Sequence, residues 1–380
     1  MRDRAATAAF PALLARKHSR MAGSPLAYLR GSAGLFYALL AEQPDLAAGP
    51  SGEGWLVGDA HLENFGAFRS EDARESAVFD VNDFDEALVG PLRWDVLRLL
   101  TSVILGGREL GSNGRQSIEL CGAILTGYVE ALATREVPKT SPAPVRRLLE
   151  KVDRRTHRDL LDRRTERAAG GRRFIRGERY PDLLPELVPG AHAAFAEFVE
   201  RLDPARKLER DHFAVEDVAF RVAGCGSLGA LRIAVLTRGK GDPDNLWIFD
   251  MKAEGAPSAS LLVARPPGLA AERVRTATLT CLTRTPRMVG TTELGPESMF
   301  VRRLLPQEDK LDLAHLRADE LAELALYLGA LLGRVHARGL TVPPTPSWQK
   351  ADFGALIDRA IAIAGYHESA YLAFCKSLLP

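Results

Sequence analysis

The stretch Gly58-Asp59-Ala60-His61-Leu62-Glu63-Asn64 holds the residue types and spacing that phosphate chemistry uses. Phosphoryl transfer asks little covalent work of a protein. It needs a carboxylate near the attacking hydroxyl and oxygen ligands that hold Mg²⁺ against the phosphates. Asp59 and Asn64 stand five residues apart, the separation that lets a base aspartate and a metal-binding asparagine face one cavity from one loop. A second cluster, Asn82-Asp83-Phe84-Asp85, follows a short apolar run, so Asp83 falls where a strand end presents a further metal ligand. Asp59 is therefore the expected base or hydroxyl-orienting group, and Asn64, Asp83 and Asp85 are the expected metal residues, Asp85 or Asp80 acting from behind the ligands. His61 is read either as a catalytic group that orients Asp59 or as a structural one. Asp and Asn also cap turns, but two such clusters in succession favour the metal–phosphate reading. Asp95, at the start of the next apolar helix, either caps that helix or anchors the loop.

A glycine cluster downstream, Gly224-Cys225-Gly226-Ser227-Leu228-Gly229, lies between two β-type runs. A dinucleotide-binding fold would need a helix after such glycines. Here a strand-like run follows, which matches the flexible hairpin that covers nucleotide phosphates in kinases. Lys252, ending the third run, then takes the place of the phosphate-contacting lysine. Gly224, Gly226, Ser227, Gly229 and Lys252 are the expected nucleotide-binding residues, and ATP and Mg²⁺ the expected cofactors. The carboxylate partner of Lys252 is expected from the following helix as Glu272, with Glu254 as the alternative.

This order is inverted relative to kinases, where the glycine loop and lysine precede the catalytic loop. A circular permutation accounts for it, with the helix around 328–339 standing where the chain normally enters the catalytic loop; permutation is tolerated where termini meet on a compact surface. At this point the chain resembles a bacterial family catalogued as domain of unknown function 2252. Tyr28-Leu29-Arg30-Gly31, the two Asp/Asn clusters, Gly90-Pro91-Leu92-Arg93-Trp94-Asp95 and the glycine cluster carry the resemblance across nearly the whole chain. The Gly-Asp-x-His-x-x-Asn form is also similar to aminoglycoside and choline phosphotransferases. Two positions depart from those patterns: Val57 stands in place of a histidine, and Lys252-Ala253-Glu254 replaces Lys-Glu-Ala.

The elements that must position these residues are read from periodicity and punctuation. Residues 5–45 read as helix broken near Gly23-Ser24-Pro25. Short strands are expected at 55–57 and 77–81, and apolar helices from Trp94 to about 105 and over 115–134. The runs at 218–222, 231–237 and 246–252 read as an antiparallel meander. Helices follow at 190–202, 269–281, 319–336 and 351–375, with a strand near 298–305. The fold class expected is α+β: a two-lobed, circularly permuted protein-kinase-like fold with a small antiparallel β lobe and a larger helical lobe. Residues 1–209 would form the helical-lobe portion carrying the catalytic and metal loops, 210–308 the nucleotide-binding β lobe, and 309–380 the completing helices.

Bulk composition narrows the class. With 380 residues, 46% of them hydrophobic, the chain can bury two lobes. Fifty Lys and Arg stand against 49 Asp and Glu, so no global field points to nucleic acid or an anionic membrane. Four scattered cysteines lack any zinc spacing and read as reduced thiols, and no span or leader is expected, which together suggest a cytoplasmic protein without a membrane partner. Residues 146–179 hold twelve Arg and one Lys against six acids. An anionic substrate could use them, but the interleaved Asp153, Asp159, Asp162 and Glu166 favour a solvated helix pair. The leading expectation is an ATP- and Mg²⁺-dependent phosphotransferase for a hydroxyl acceptor of unknown identity. The alternatives are a nucleotide-binding regulator without chemistry, nucleotidyl transfer on the same fold, and, least favoured, a metal-dependent phosphoesterase, whose further His and Asp ligands are not evident. Acceptor and oligomeric state are not legible.

Overall fold

The computed structural model describes residues 11–72, 75–168, 171–202, 209–224, 228–240, 245–264 and 268–378. The fold mixes α-helices with several small antiparallel sheets. Among the described residues, no helix is long and apolar enough to cross a membrane.

The N-terminal helical region is broken twice within the expected span, giving α1 (Ala12–Met21), α2 (Pro25–Gly31) and α3 (Ala33–Glu42). Ser24 caps α2, its hydroxyl accepting from Ala27 N, and Pro25 occupies the first helical position where its missing N–H is harmless. The strand expected at 55–57 is β1 (Glu53–Leu56), and that at 77–81 is β3 (Val78–Val81). Two further strands lie where none was expected, β2 (Phe65–Phe68) directly after the first motif and β4 (Leu88–Pro91) directly after the second. Both motifs are therefore loops held between strands. Helix α4 (Arg93–Leu105) is buried along almost its whole length. Helix α5 (Gly114–Thr134) opens with a reciprocal capping box between Asn113 and Gln116.

The Arg-rich stretch departs from the expected helix pair. It forms α6 (Ala143–Asp153), a short α7 (His157–Asp162) and then a hairpin, β5 (Thr165–Ala168) with β6 (Gly171–Phe174). Its charges are largely paired: Arg155 with Asp309, Arg147 with Glu320, Arg172 with Asp162, Arg173 with Glu166 and Arg176 with Asp217.

The meander is present and is part of a larger sheet. β7 (Val215–Phe220), β8 (Arg232–Thr237) and β9 (Trp247–Glu254) are joined by β10 (Val289–Leu294) and β11 (Glu297–Leu304) in the antiparallel order β10-β11-β9-β8-β7. Every residue of β9 is buried, as suits a central strand covered on both faces. Its alternate side chains point to different neighbours. Trp247, Phe249 and Met251 pack with Phe195 and Phe198 of helix α8 (Val188–Glu200). Ile248 packs with Leu160, Leu161, Phe174 and Tyr180 from the Arg-rich arm, while Asp250 and Lys252 on that same face line a cleft. Helix α9 (Ala270–Cys281) crosses from β9 to β10 and packs on β9, β10 and β11.

The last segment returns to the first. β12 (Asp309–Lys310) extends the β2–β3 pair, and α10 (Leu321–Arg338) runs against α5. The two helices meet at glycines: a Cβ on Gly329 would lie 2.0 Å from Ile124 O, and one on Gly127 would lie 2.0 Å from Leu326 O. β13 (Leu340–Val342) then pairs antiparallel with β1, and α11 (Phe353–Ser377) closes the chain against α4.

Candidate active site

Gly58 turns the chain out of β1 at φ +79°, a region L side chains avoid, and a Cβ there would stand 1.9 Å from Glu86 O. Only glycine fits this turn. The loop beyond it hangs on Asp95, the first-turn acid of α4, whose carboxylate accepts from Val57 N at 2.6 Å and Gly58 N at 2.9 Å. Asp95 thus anchors the loop. Its Oδ2 also accepts from His336 Nε2 at 3.0 Å, and His336 Nδ1 accepts from the Tyr128 hydroxyl at 2.9 Å. All three side chains are fully buried. Tyr37 completes the support by donating to Gly58 O at 2.7 Å.

Asp59 faces Arg98, whose Nε lies 2.8 Å from Oδ1 and whose second nitrogen donates to the same oxygen. Arg98 also donates to Leu29 O at 2.9 Å, which ties the Tyr28–Gly31 motif to the loop. Burial alone would raise the Asp59 carboxyl. Arg98 and, more weakly, His61 outweigh it and hold the group well below the usual carboxylate range. His61 Nε2 stands 3.6 Å from Asp59 Oδ2, while its Nδ1 accepts from Glu63 N at 3.1 Å. Accepting at Nδ1 places the proton on Nε2, toward Asp59. Burial lowers the His61 pKa, against the opposing pull of Asp59.

Asn64 joins the two motifs. Its Nδ2 donates to Asp59 O and to Asp83 O, both at 3.1 Å, and Asn82 N donates to Asn64 O at 2.9 Å. Two carbonyl acceptors fix the amide nitrogen and turn Oδ1 the other way as an oxygen donor. Asp83 is exposed and spends Oδ1 on Asp85 N at 3.1 Å. The arrangement offers hard oxygens from two adjacent loops, the chemistry Mg²⁺ prefers. Among the described residues there is no cluster of three or more His, Cys, Asp or Glu able to hold a metal by themselves. A Mg²⁺ ion usually keeps waters and shares its shell with substrate phosphates, so one or two protein carboxylates suffice.

Lys252 projects into the same cleft, and its ammonium is ion-paired with Asp85 and stands 3.7 Å from Glu254 Oε1. Glu272 is not its partner. That carboxylate binds Arg275 at 2.6 Å and accepts from the Thr291 hydroxyl at 3.3 Å. The reason is helical phase: the adjacent Arg273 is the residue of α9 that turns inward, donating to Ala87 O, to Asp85 O at 2.8 Å and to Gly255 O at 3.0 Å. The alternative, Glu254, is within ion-pair reach, and Asp85 from the second motif stands closer still. Burial pushes its pKa up to about 7, against the opposing pull of Lys252. Gly224 and Gly229 adopt φ +81° and +104°, and Gly224 lines the cleft; Gly226 and Ser227 lie outside the described residues.

The cleft has a volume of about 230 Å³ and lies between the sheet and the 82–85 loop. Its roof holds a charge cluster that the sequence did not reveal. Asp250 is paired with both Arg221 and Arg232, Arg232 Nε lying 2.8 Å from Oδ1. Burial would raise the Asp250 carboxyl, but the two guanidiniums hold it far below the usual range. Arg302, opposite Asp250 on β11, binds Glu308 at 3.1 and 3.2 Å. Sequence reading also missed Arg98, Arg273 and His336; the available signal for Arg98 and His336 was a polar residue set inside an otherwise apolar helix.

Comparison with known proteins places the chain among relatives of undetermined role. No curated protein matches it, and no solved structure does. One family profile, described as an uncharacterized protein conserved in bacteria, covers residues 9–377. The chain belongs to that family, DUF2252.

Proposed function

We propose that this protein is an ATP- and Mg²⁺-dependent phosphotransferase of the kinase-like class, acting on a hydroxyl of a small molecule. One observation carries the reading: Asp83, Asp85 and Lys252, from segments far apart in the chain, line one cleft, and Asn64 ties the backbone of Asp83 to that of Asp59, so that the first motif is held against the loop that borders the cleft. Lys252 lies on the third strand of a five-stranded sheet, after the glycine-rich sequence between β7 and β8 and before a helix, as the phosphate lysine of kinases does. The permuted order also has support. Helix α10 runs up to the catalytic loop, with His336 under Asp95 and Gly339 O accepting from Trp55 N at 2.9 Å, although the chain enters that loop from β1.

A bound Mg²⁺ would neutralise phosphate charge and polarise the phosphorus under attack. Asn64 Oδ1 and Asp83 would hold it, Lys252 would bind phosphate oxygens, and the backbone at Gly224 and Gly229 would approach them closely. Asp59 stays ionised beside Arg98, which suits orienting the acceptor hydroxyl and receiving its proton late; a loose transfer needs little more basicity. The test is Asp83→Ala, expected to retain the folded circular-dichroism spectrum and lose Mg²⁺-dependent ATP turnover. Unchanged turnover sinks the assignment. A second reading, nucleotide binding without chemistry, is favoured by the engagement of Lys252 with Asp85. It predicts ATP binding by calorimetry with no product from any acceptor.

A further inference from the structure

The cleft has two chemically distinct ends. Toward β7 and β8, Arg221 and Arg232 share the carboxylate of Asp250, and around the whole cleft the lining Arg and Lys side chains outnumber the lining Asp and Glu. Arg221 and Arg232 side chains are only 10% and 13% exposed, and Asp250 2%. An excess buried cation is costly unless an anion joins it. Toward helix α9 the lining is apolar, formed by Val274, Leu282, Phe300 and Phe84. Lys252 and the Asp83–Asp85 loop lie between: Lys252 is directly opposite Arg232 on one neighbouring strand and Phe300 on the other. A purine needs apolar or aromatic faces, and a triphosphate needs guanidiniums and glycine backbone N–H groups. Gly224 and Ala223 border the arginine end.

Resting on the nucleotide-binding part of the reading above, with attack at the α-phosphorus in place of the γ-phosphorus, we infer that a nucleoside triphosphate lies with its base against α9 and its β- and γ-phosphates at Arg221, Arg232 and Arg302, so that the group transferred is the nucleotidyl group. The α-phosphate is then the one beside Asp83 and Lys252. The acceptor hydroxyl oxygen bonds to the α-phosphorus, and the bond from that phosphorus to the bridging oxygen breaks. Pyrophosphate leaves with the electron pair, and the hydroxyl proton passes by Asp59 to water.

Two measurements on the full chain test this. Isothermal titration with inorganic tripolyphosphate, adenosine and ATP should show tripolyphosphate binding. Arg232→Met should weaken tripolyphosphate and ATP by at least about tenfold, one lost charge-assisted contact, with adenosine unchanged. Arg302→Gln, outside the Asp250 pair, should act in the same sense if Arg232→Met misfolds. Product analysis with Mg²⁺ and ATP should yield pyrophosphate, with the AMP moiety carried by the acceptor, or released as AMP where water takes the acceptor's place. ADP as the product, or tripolyphosphate that does not bind, or binding that ignores both arginine variants, overturns the inference and leaves the phosphotransferase reading standing. Failure of the wild-type protein to bind ATP at all removes both.

Discussion

Asp95 offers the sharpest test of how the active loop is held. Its carboxylate accepts from Val57 N, Gly58 N and His336 Nε2 at 2.6, 2.9 and 3.0 Å, at a position with no solvent exposure. Alanine there strips the acceptor from three buried donors at once. Each unsatisfied donor costs about 1–3 kcal/mol, and partial relaxation of the loop brings the sum to about 4–6 kcal/mol. That is a large share of the roughly 5–15 kcal/mol by which domains are stable. With a urea m-value near 2–3 kcal/mol/M for a chain of this size, the unfolding midpoint should fall by about 2 M. Asparagine keeps one acceptor oxygen but turns an NH₂ toward a donor, so its loss should be smaller, about 2 kcal/mol. The assay is urea denaturation followed by circular dichroism for wild type, Asp95→Asn and Asp95→Ala. An alanine variant whose midpoint stays within about 0.3 M of wild type would refute the claim that this carboxylate carries the loop.

Two further outcomes follow from the geometry. Gly58→Ala combines a left-handed backbone with a Cβ 1.9 Å from Glu86 O, so it should lose about 3 kcal/mol or more by urea denaturation together with measurable ATP binding; wild-type behaviour in both would contradict the geometry. Glu254 holds its proton up to about pH 7 in the fold but releases it near its ordinary value when unfolded. The native state therefore binds more protons between about pH 4.5 and 7, and this group's contribution, fully present below that window, is lost as pH rises through it. Glu254→Gln should flatten that decline relative to wild type, by an amount on the order of 1–3 kcal/mol across the window. Parallel stability–pH curves for the two proteins would rule the assignment out.

The placement of the two Asp/Asn motifs and of Lys252 beside strands was legible because it is set locally. Five residues of spacing and a strand-like run before each loop define where the side chains go, and short-range steric rules do the rest. What was illegible depends on rotation or partnership at long range. Glu272 and Arg273 are neighbours on α9, and one helical step of about 100° decides which one enters the cleft. β10 reads Val289-Gly290-Thr291-Thr292-Glu293-Leu294, too polar to announce itself, and becomes a strand because β11 supplies a partner edge. β2, β4 and β13 are likewise four residues or fewer and exist through pairing. The hairpin at 165–174 was masked by its arginines, since interleaved charge fits an exposed helix and an exposed ribbon alike.

The buttress beneath the active loop also sets when that loop can exist. Asp95 and His336 are 241 residues apart, and Tyr128 and His336 are 208 apart. The glycine seam between α5 and α10 and the pairing of β1 with β13 are of similar span. A ribosome delivers the motif at 58–64 well before the histidine that completes its foundation, which emerges 241 residues after Asp95. Contacts this distant in sequence form late in folding. A nascent chain that has not yet released His336 therefore carries the two Asp/Asn motifs without the buttress that fixes their loop.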